Sequence, residues 1–203
     1  MGYTHYYYRP VKVDHDMETW KRFIEDCKAL YKNMPEHSHS SGDYAGNEPL
    51  FLSGCFKYEK PKFTMSRVLF NGSNGLKRIK KYSNCDKGCK HIEWADARSH
   101  DESLNDLGHE TFVLERKAWK QADHRPSENT LFSFCKTARK PYDLMVQACL
   151  ILYKHYFPYV HIHSDGDMDD WTEAFKFVAA VIPEGKEIGT ALLINDTLFE
   201  QAS

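Results

Sequence analysis

The densest cluster of metal-binding and acid–base residue types lies between His161 and Trp171, in the run HIHSDGDMDDW. Two histidines spaced i and i+2 on a strand project from the same face, and the acidic loop that follows supplies oxygen ligands. Such a set could hold a divalent metal that activates water against a phosphodiester. The alternative is structural, because aspartates also form turns and complement the N-terminus of the next helix. The residues of this candidate catalytic site are His161, His163, Asp165 and Asp167.

A second cluster combines thiols with an imidazole in the pattern Cys85-x3-Cys89-x-His91, with His100 and His109 as candidates for a fourth ligand. Zn²⁺ favours thiolates and imidazoles, and binding it would order a polar stretch that has few apolar residues of its own. The spacing lacks the C-x2-C knuckles of common zinc sites, so a reduced, exposed loop is the alternative. The cofactor therefore stays open, with Zn²⁺ or another divalent metal as the candidate.

A third cluster places positive charge at the start of a predicted helix, in the segment from Phe134 to Tyr142. Cations are unfavourable at a helix N-terminus, whose free N–H groups attract anions, so an anionic partner is expected there. We predict an anion or nucleotide-phosphate site beside aromatic residues that stack on a base. A basic loop that serves only solubility is the alternative. The predicted ligand-binding residues are Lys136, Thr137, Arg139, Lys140, Tyr142 and His5.

A basic run from Lys77 to Lys81 follows the segment Gly72-Ser-Asn-Gly75. A GxxG turn with such a run could grip a phosphate backbone, as in a KH module, but a lone GxxG has low specificity. Basic runs more often form a solvated surface. Nucleic acid is thus a partner that the sequence allows without favouring.

Hydrophobic periodicity predicts three helices that would support these clusters. The first begins near Asp16, has apolar residues at i, i+3, i+4 and i+7, and ends before Pro35. The second follows Pro141 and is apolar on nearly all sides, which predicts the central buried helix. The third begins near Asp170 and stops at Pro183.

Short β-branched and aromatic runs predict the strands, and bulky residues on both faces of the first run indicate a covered strand that is not at an edge. The pair Asn71-Gly72 predicts a turn. The polar stretch at about 74–108 resembles an insertion between two strands that would otherwise form a hairpin. The predicted strands are Tyr3–Tyr8, Leu50–Phe56, Ser66–Phe70, Thr111–Leu114, Leu131–Cys135 and Tyr159–Ser164.

These elements predict an α+β fold with a single mixed or antiparallel sheet and about three helices packed mainly on one face. The 203 residues are expected to form one domain over 1–203 that contains the polar insertion. With 27 basic and 29 acidic residues the net charge is −2, so no global basic field attracts DNA or an anionic membrane. Because the chain has neither a signal-peptide core nor an apolar run of membrane-spanning length, we predict a cytoplasmic location without membrane association.

Three segments together carry a resemblance that covers most of the chain outside the insertion. They are MGYTHY followed by an aromatic residue (Met1–Tyr7), FCKTARKPYD (Phe134–Asp143), and SDGD with a downstream tryptophan (Ser164–Trp171). With these segments the sequence resembles an uncharacterised family of tailed-bacteriophage and prophage proteins. That resemblance implies an accessory protein acting in the cytoplasm of an infected bacterium, and it implies no catalytic or binding residue.

The leading hypothesis from the sequence is a non-enzymatic protein that binds an anionic ligand, a nucleotide or nucleotide-derived signal, or that inhibits a host factor. Its partner is then an anionic small molecule or a host protein. The alternative is a metal-dependent phosphoesterase acting on a nucleotide or nucleic acid through the histidines and aspartates of the first cluster. The oligomeric state stays open.

Overall fold

The computed structural model describes residues 2–11, 13–37, 50–55, 59–73, 107–118, 130–183 and 187–188. Within these residues the chain forms three α-helices and two small antiparallel sheets. The predicted α+β class is confirmed. The prediction of a single sheet is wrong, because the strands divide between two separately paired groups.

The first sheet has the strand order β6-β1-β7, with β1 (Thr4–Pro10) between β6 (Thr130–Lys136) and β7 (His161–Ser164). Both neighbours run antiparallel to β1, and Tyr6 lies opposite Phe134 on one side and His163 on the other. The N-terminal aromatic run is therefore a central strand, as its composition predicts.

The second sheet is built around β4 (Arg67–Ser73), which pairs with β2 (Phe51–Ser53), β3 (Lys62–Phe63) and β5 (Phe112–Glu115). The β4–β5 pairing joins the strands on either side of the predicted insertion, so the expected hairpin-like pairing is confirmed. Residues 74–106 lie outside the described residues.

Side chains of β1 connect the two sheets. Both edges of β1 are already occupied by β6 and β7, so β5 approaches its inner side through side-chain contacts instead of a ladder. The Tyr7 hydroxyl donates to the Val113 carbonyl at 2.8 Å, and Arg9 Nη1 donates to the Glu115 carbonyl at 2.7 Å. Arg9 is only 7% exposed, and these carbonyl acceptors satisfy its buried donors.

The helices are α1 (Met17–Lys32), α2 (Asp143–Tyr156) and α3 (Thr172–Val181), the last preceded by a 3₁₀ turn at Asp169–Trp171. The Asp16 side chain accepts the Thr19 N–H at 2.9 Å and so caps α1. Almost all of α2 is buried, as predicted, because α1 and α3 both pack against it. No helix in the described part of the chain is long and apolar enough to cross a membrane.

The Asn71–Gly72 pair lies inside β4, and the predicted turn at this pair is wrong. A Cβ atom on Gly72 would lie 2.0 Å from the Leu107 carbonyl oxygen and 2.6 Å from the Tyr142 ring. Asn71 donates to the His109 carbonyl at 2.8 Å through Nδ2, and its Oδ1 accepts the His109 N–H at 3.1 Å. Because Gly72 has no side chain, the segment at Leu107 can pack directly against the backbone of β4, which is a known role of glycine within strands.

Candidate functional site

The acidic loop after β7 holds backbone groups with its carboxylates. Asp165 Oδ2 accepts the Thr4 N–H at 3.0 Å, and Asp167 Oδ1 accepts the N–H groups of Asp169 and Asp170 at 3.0 and 3.3 Å. These are the turn-forming and helix-initiating bonds of the structural interpretation. Within the described residues no group of three or more His, Cys, Asp or Glu side chains is placed to hold a metal ion.

The histidines of that first cluster point away from the interior. His161 and His163 are exposed on one face of β7, while Ile162 and Ser164 are buried on the other. The thiols and imidazole of the predicted zinc cluster, Cys85, Cys89 and His91, lie outside the described residues, as does the basic run 77–81.

The loop between β6 and α2 is anchored by Arg139. Its guanidinium forms a two-pronged ion pair with Asp170, in which Nη2 lies 3.1 Å from Oδ2, and it stacks 4.0 Å above the Tyr3 ring. The hydrogen bond to Asp170 raises the pKa of Arg139, so the guanidinium stays charged. Arg139 therefore joins the basic loop to the acidic turn, and Asp170 already neutralises its charge.

The backbone of this loop has an uncommon conformation. Ala138 and Arg139 both have positive φ angles, 52° and 56°, a region that side chains other than glycine rarely occupy. The N–H groups of Thr137 and Ala138 both donate to the Tyr3 carbonyl, at 2.9 and 3.1 Å. The N-terminal segment thus fixes the loop in its left-handed turn.

His5 is fully buried in a hydrogen-bonded chain behind this loop. Its Nε2 lies 2.7 Å from Asp143 Oδ1 and its Nδ1 lies 3.0 Å from Ser164 Oγ. Asp143 Oδ2 also accepts from Gln147 Nε2 at 2.9 Å. The sequence alone does not predict these partners, because Asp143 and Ser164 are more than a hundred residues away from His5.

Ser164, His5 and Asp143 are the residue types of a catalytic triad, but their surroundings are those of a structural hydrogen-bond network. Ser164 is 5% exposed, and its oxygen accepts the Gly166 N–H at 3.1 Å. A Cβ atom on Gly166 would lie 2.2 Å from the Tyr3 hydroxyl, so Tyr3 fills the space beside Gly166 in the same loop. A substrate carbonyl has no room at this oxygen, and the network instead positions α2 against β1.

The other residues of the predicted anion site divide between the interior and the surface. Tyr142 and Thr137 are fully buried, and the Tyr142 hydroxyl donates to the Glu110 carbonyl at 2.8 Å. Burial raises the pKa of Tyr142, so the phenol stays a neutral donor. Lys136 and Lys140 are half-buried at the surface. The structure therefore does not bring all six predicted residues together on one accessible surface.

An array of aromatic rings covers the outer face of the first sheet. The strand register aligns Phe134, Tyr6 and His163 in one row and Phe132, Tyr8 and His161 in the next. We call these six side chains the aromatic face. Phe134 is 39% exposed, His161 and His163 are exposed, and the other three are half-buried.

The rings of the aromatic face stack on one another across the strands. The centroid of the Tyr6 ring lies 6.2 Å from that of Phe132, with an interplanar angle of 18°, and 5.9 Å from that of His163, with an angle of 26°. Phe132 and Phe134 lie 5.7 Å apart at 25°. Because several ring planes are nearly aligned, their exposed edges and faces form a surface suited to flat partners.

Lys136 adds positive charge at one end of this surface. It follows Phe134 by two residues on β6, so its side chain starts from the same face, and a Cβ atom on Gly2 would lie 2.6 Å from its Cε. The residues of the aromatic face alternate along each strand, which is the sequence signal that could have revealed it. The unbroken run of tyrosines in β1 hides that alternation, because aromatic residues occupy both faces.

No protein-family model, curated protein or solved structure matches this chain.

Proposed function

We propose that this protein binds a nucleobase-containing anion, a free nucleotide or a short single strand, by stacking its bases on the aromatic face. The observation that supports the proposal is the set of six rings on the outer side of a three-stranded antiparallel sheet. Sheets that display aromatic side chains in this way are typical surfaces for unpaired bases, since every base has a flat π-face.

The energetics favour a stacking role. An aromatic side chain that stacks on a base contributes about 1–3 kcal/mol, as measured by alanine substitution. Phe134 has 39% of its surface exposed in the free protein, so it gains burial when a flat ligand covers it. Two stacked bases together therefore contribute about 2–6 kcal/mol, which with a phosphate contact corresponds to a Kd between about millimolar and tens of micromolar.

The charge distribution fits a small or short ligand. Lys136 supplies a cation beside the rings. The net charge of −2 supplies no long-range attraction for a duplex backbone. We therefore expect few phosphate contacts and a shallow dependence of affinity on salt.

The competing explanation is that the rings only stabilise the sheet, because cross-strand aromatic pairs contribute about 0.2–1 kcal/mol each. The test is a titration by calorimetry and fluorescence anisotropy against mononucleotides and labelled single-stranded oligonucleotides. Its two arms distinguish a free nucleotide from a strand. Phe134→Ala should weaken binding by about 5- to 100-fold. Phe51→Ala, which removes a 48% exposed ring from β2 in the second sheet, is the matched control and should leave affinity unchanged.

Absence of binding to every nucleotide and oligonucleotide would overturn the proposal. Binding that Phe134→Ala and Phe51→Ala weaken equally would also overturn it, because the effect would then not be specific to the aromatic face. A protein partner from the host that competes for this face, in place of any nucleotide, would favour the inhibitor hypothesis instead.

Recovery of the ligand separates binding from catalysis. Intact nucleotide after incubation with Mg²⁺, Mn²⁺ or Zn²⁺ is expected for a binding protein. A cleaved product whose formation needs His161 and His163 would favour the phosphoesterase hypothesis. The resemblance to tailed-phage proteins supports the further proposal that the protein acts as an accessory protein in the cytoplasm of an infected bacterium.

A further inference from the structure

A cavity of about 510 Å³ lies between β6 and β5, where the two sheets meet. Its walls come from Leu131–Phe134 on one side and from Thr111 and Val113–Glu115 on the other. Tyr8, Phe132 and Phe134 belong both to these walls and to the aromatic face, so the two sites are continuous. The volume lies within the range of small-molecule pockets and exceeds what a single base requires.

Most polar groups around this cavity already have partners. The Tyr7 hydroxyl bonds the Val113 carbonyl, and Arg9 bonds the carbonyls of Glu115 and Arg116. The Glu115 side chain is different. Its Oε1 lies 3.4 Å from Arg67 Nε, while its Oε2 is buried and has no hydrogen-bond partner among the described residues. A buried acceptor without a donor is a site that a ligand donor would satisfy.

The charge state of Glu115 reflects opposing influences. Burial raises the pKa of this carboxyl group, and the nearby guanidinium groups of Arg67 and Arg9 lower it. An ionised carboxylate has only acceptors, and it binds best to two N–H groups that point in the same direction. The chemistry of the cavity thus favours a flat ligand with adjacent donors on one edge.

We propose that the cavity binds guanine, with the Glu115 carboxylate accepting hydrogen bonds from the ring N1–H and the exocyclic amino group. This inference rests on the proposed function and names the base that the protein prefers. Guanine presents two neighbouring donors on its Watson–Crick edge. Adenine and cytosine present an amino group beside an acceptor, and uracil presents one N–H between two carbonyls. In each of these bases a carboxylate would face at least one acceptor, and the two would repel each other.

The aromatic rings complete the site. Tyr8 and Phe132 lie 5.2 Å apart at the point where cavity and aromatic face meet. Phe132 and Glu115 both line the cavity, so a base seated against Phe132 would share the cavity with this carboxylate. The stacking contact then supplies affinity, and the carboxylate supplies the choice of base.

The experiment compares GMP, IMP, AMP, CMP and UMP as ligands of the intact protein. GMP should bind at least about 10-fold more tightly than AMP, CMP or UMP, because one well-made pair of hydrogen bonds discriminates by roughly that factor or more. IMP lacks only the exocyclic amino group and should fall between GMP and the others. Glu115→Gln should reduce the preference to within about 3-fold. Glu173→Gln, on the exposed side of α3, is the matched control and should preserve it.

The outcomes separate this inference from the proposed function. Phe134-dependent binding with equal affinity for all five nucleotides would overturn the guanine site and leave the aromatic face as a binding surface. Absence of any nucleotide binding would overturn both. If Glu115→Gln fails to fold, the comparison of GMP with IMP on the unmodified protein decides the question alone, and equal affinities would count against the proposal.

Discussion

His5 Nε2 lies 2.7 Å from Asp143 Oδ1 inside the protein and so links the central strand of the first sheet to the first turn of α2. Asp143 also accepts from Gln147, so its removal leaves donors on two buried side chains without an acceptor. We expect Asp143→Ala to lower the free energy of unfolding by about 2–4 kcal/mol, measured by urea denaturation. Glu25→Ala, an exposed position on α1, should change it by less than about 0.5 kcal/mol. Equal effects of the two substitutions would contradict a structural role for the network.

His15 lies between two phenols, with Nδ1 2.7 Å from the Tyr159 hydroxyl and Nε2 2.6 Å from the Tyr153 hydroxyl. Burial, aided by the charge of Arg9, lowers the pKa of His15 to about 3. In the unfolded chain the histidine takes up a proton below about pH 6.5, so the folded state loses relative stability from that pH down to about pH 3.

We expect this residue to add up to about 1.4 kcal/mol per pH unit to the slope of unfolding free energy against pH in that window. His15→Gln should remove that part of the slope, as measured by denaturation at several pH values between 3 and 8. The acidic side chains contribute equally in both proteins and cancel in the comparison. Identical slopes for the two proteins would show that His15 is not the buried neutral group.

Gly72 and Gly2 give a matched pair of substitutions. A Cβ atom on Gly72 would meet the Leu107 backbone, whereas one on Gly2 would meet only the flexible end of the Lys136 side chain. Gly72→Ala should therefore destabilise the protein by about 1–3 kcal/mol, and Gly2→Ala should be nearly neutral. Thermal denaturation of both variants measures the difference. An unchanged stability of the Gly72→Ala variant would show that the backbone at Leu107 does not lie close to β4.

Ala138 gives a substitution that should stabilise the protein. Its φ of 52° is unfavourable for a residue with a Cβ atom and costs glycine little. Ala138→Gly should raise the free energy of unfolding by about 0.5–1 kcal/mol. Ala29→Gly, within α1, should lower it by about 1 kcal/mol, so the two substitutions have opposite signs. Destabilisation by both would mean that the loop does not adopt the left-handed turn.

Local patterns were sufficient for the helices and for the position of β1. The spacing of Trp20, Phe23, Ile24 and Cys27 predicts α1, and its cap follows from Asp16, because each signal lies within a few residues. The alternation of His161, Ile162 and His163 likewise predicts which side of β7 is buried. In these elements the spacing of apolar residues within a short segment determines which face is buried, so the local sequence predicts it.

The division into two sheets and the candidate site required the three-dimensional structure. The sequence gives no local sign of which strands pair with β1, or that β5 pairs with β4 in a separate sheet. The sequence places His5 among the predicted ligand-binding residues, but in the structure it is buried and bonded to Asp143 and Ser164. The aromatic face combines residues from three strands that are distant in the sequence, so only their pairing shows that the rings form one surface.

Lys136 provides a test of the phosphate contact in the proposed function. Its side chain begins on the same face as Phe134, at the end of β6 where the aromatic face stops. Lys136→Gln should weaken binding of a short single-stranded oligonucleotide by about 3- to 10-fold at low salt and reduce the slope of log affinity against log salt by about 0.7. Lys21→Gln, an exposed position on α1, should leave both quantities unchanged. Each contact between a lysine and a phosphate releases counterions on binding, so losing one must reduce the salt dependence of affinity. An unaltered slope in the Lys136 variant would therefore show that the phosphates bind elsewhere.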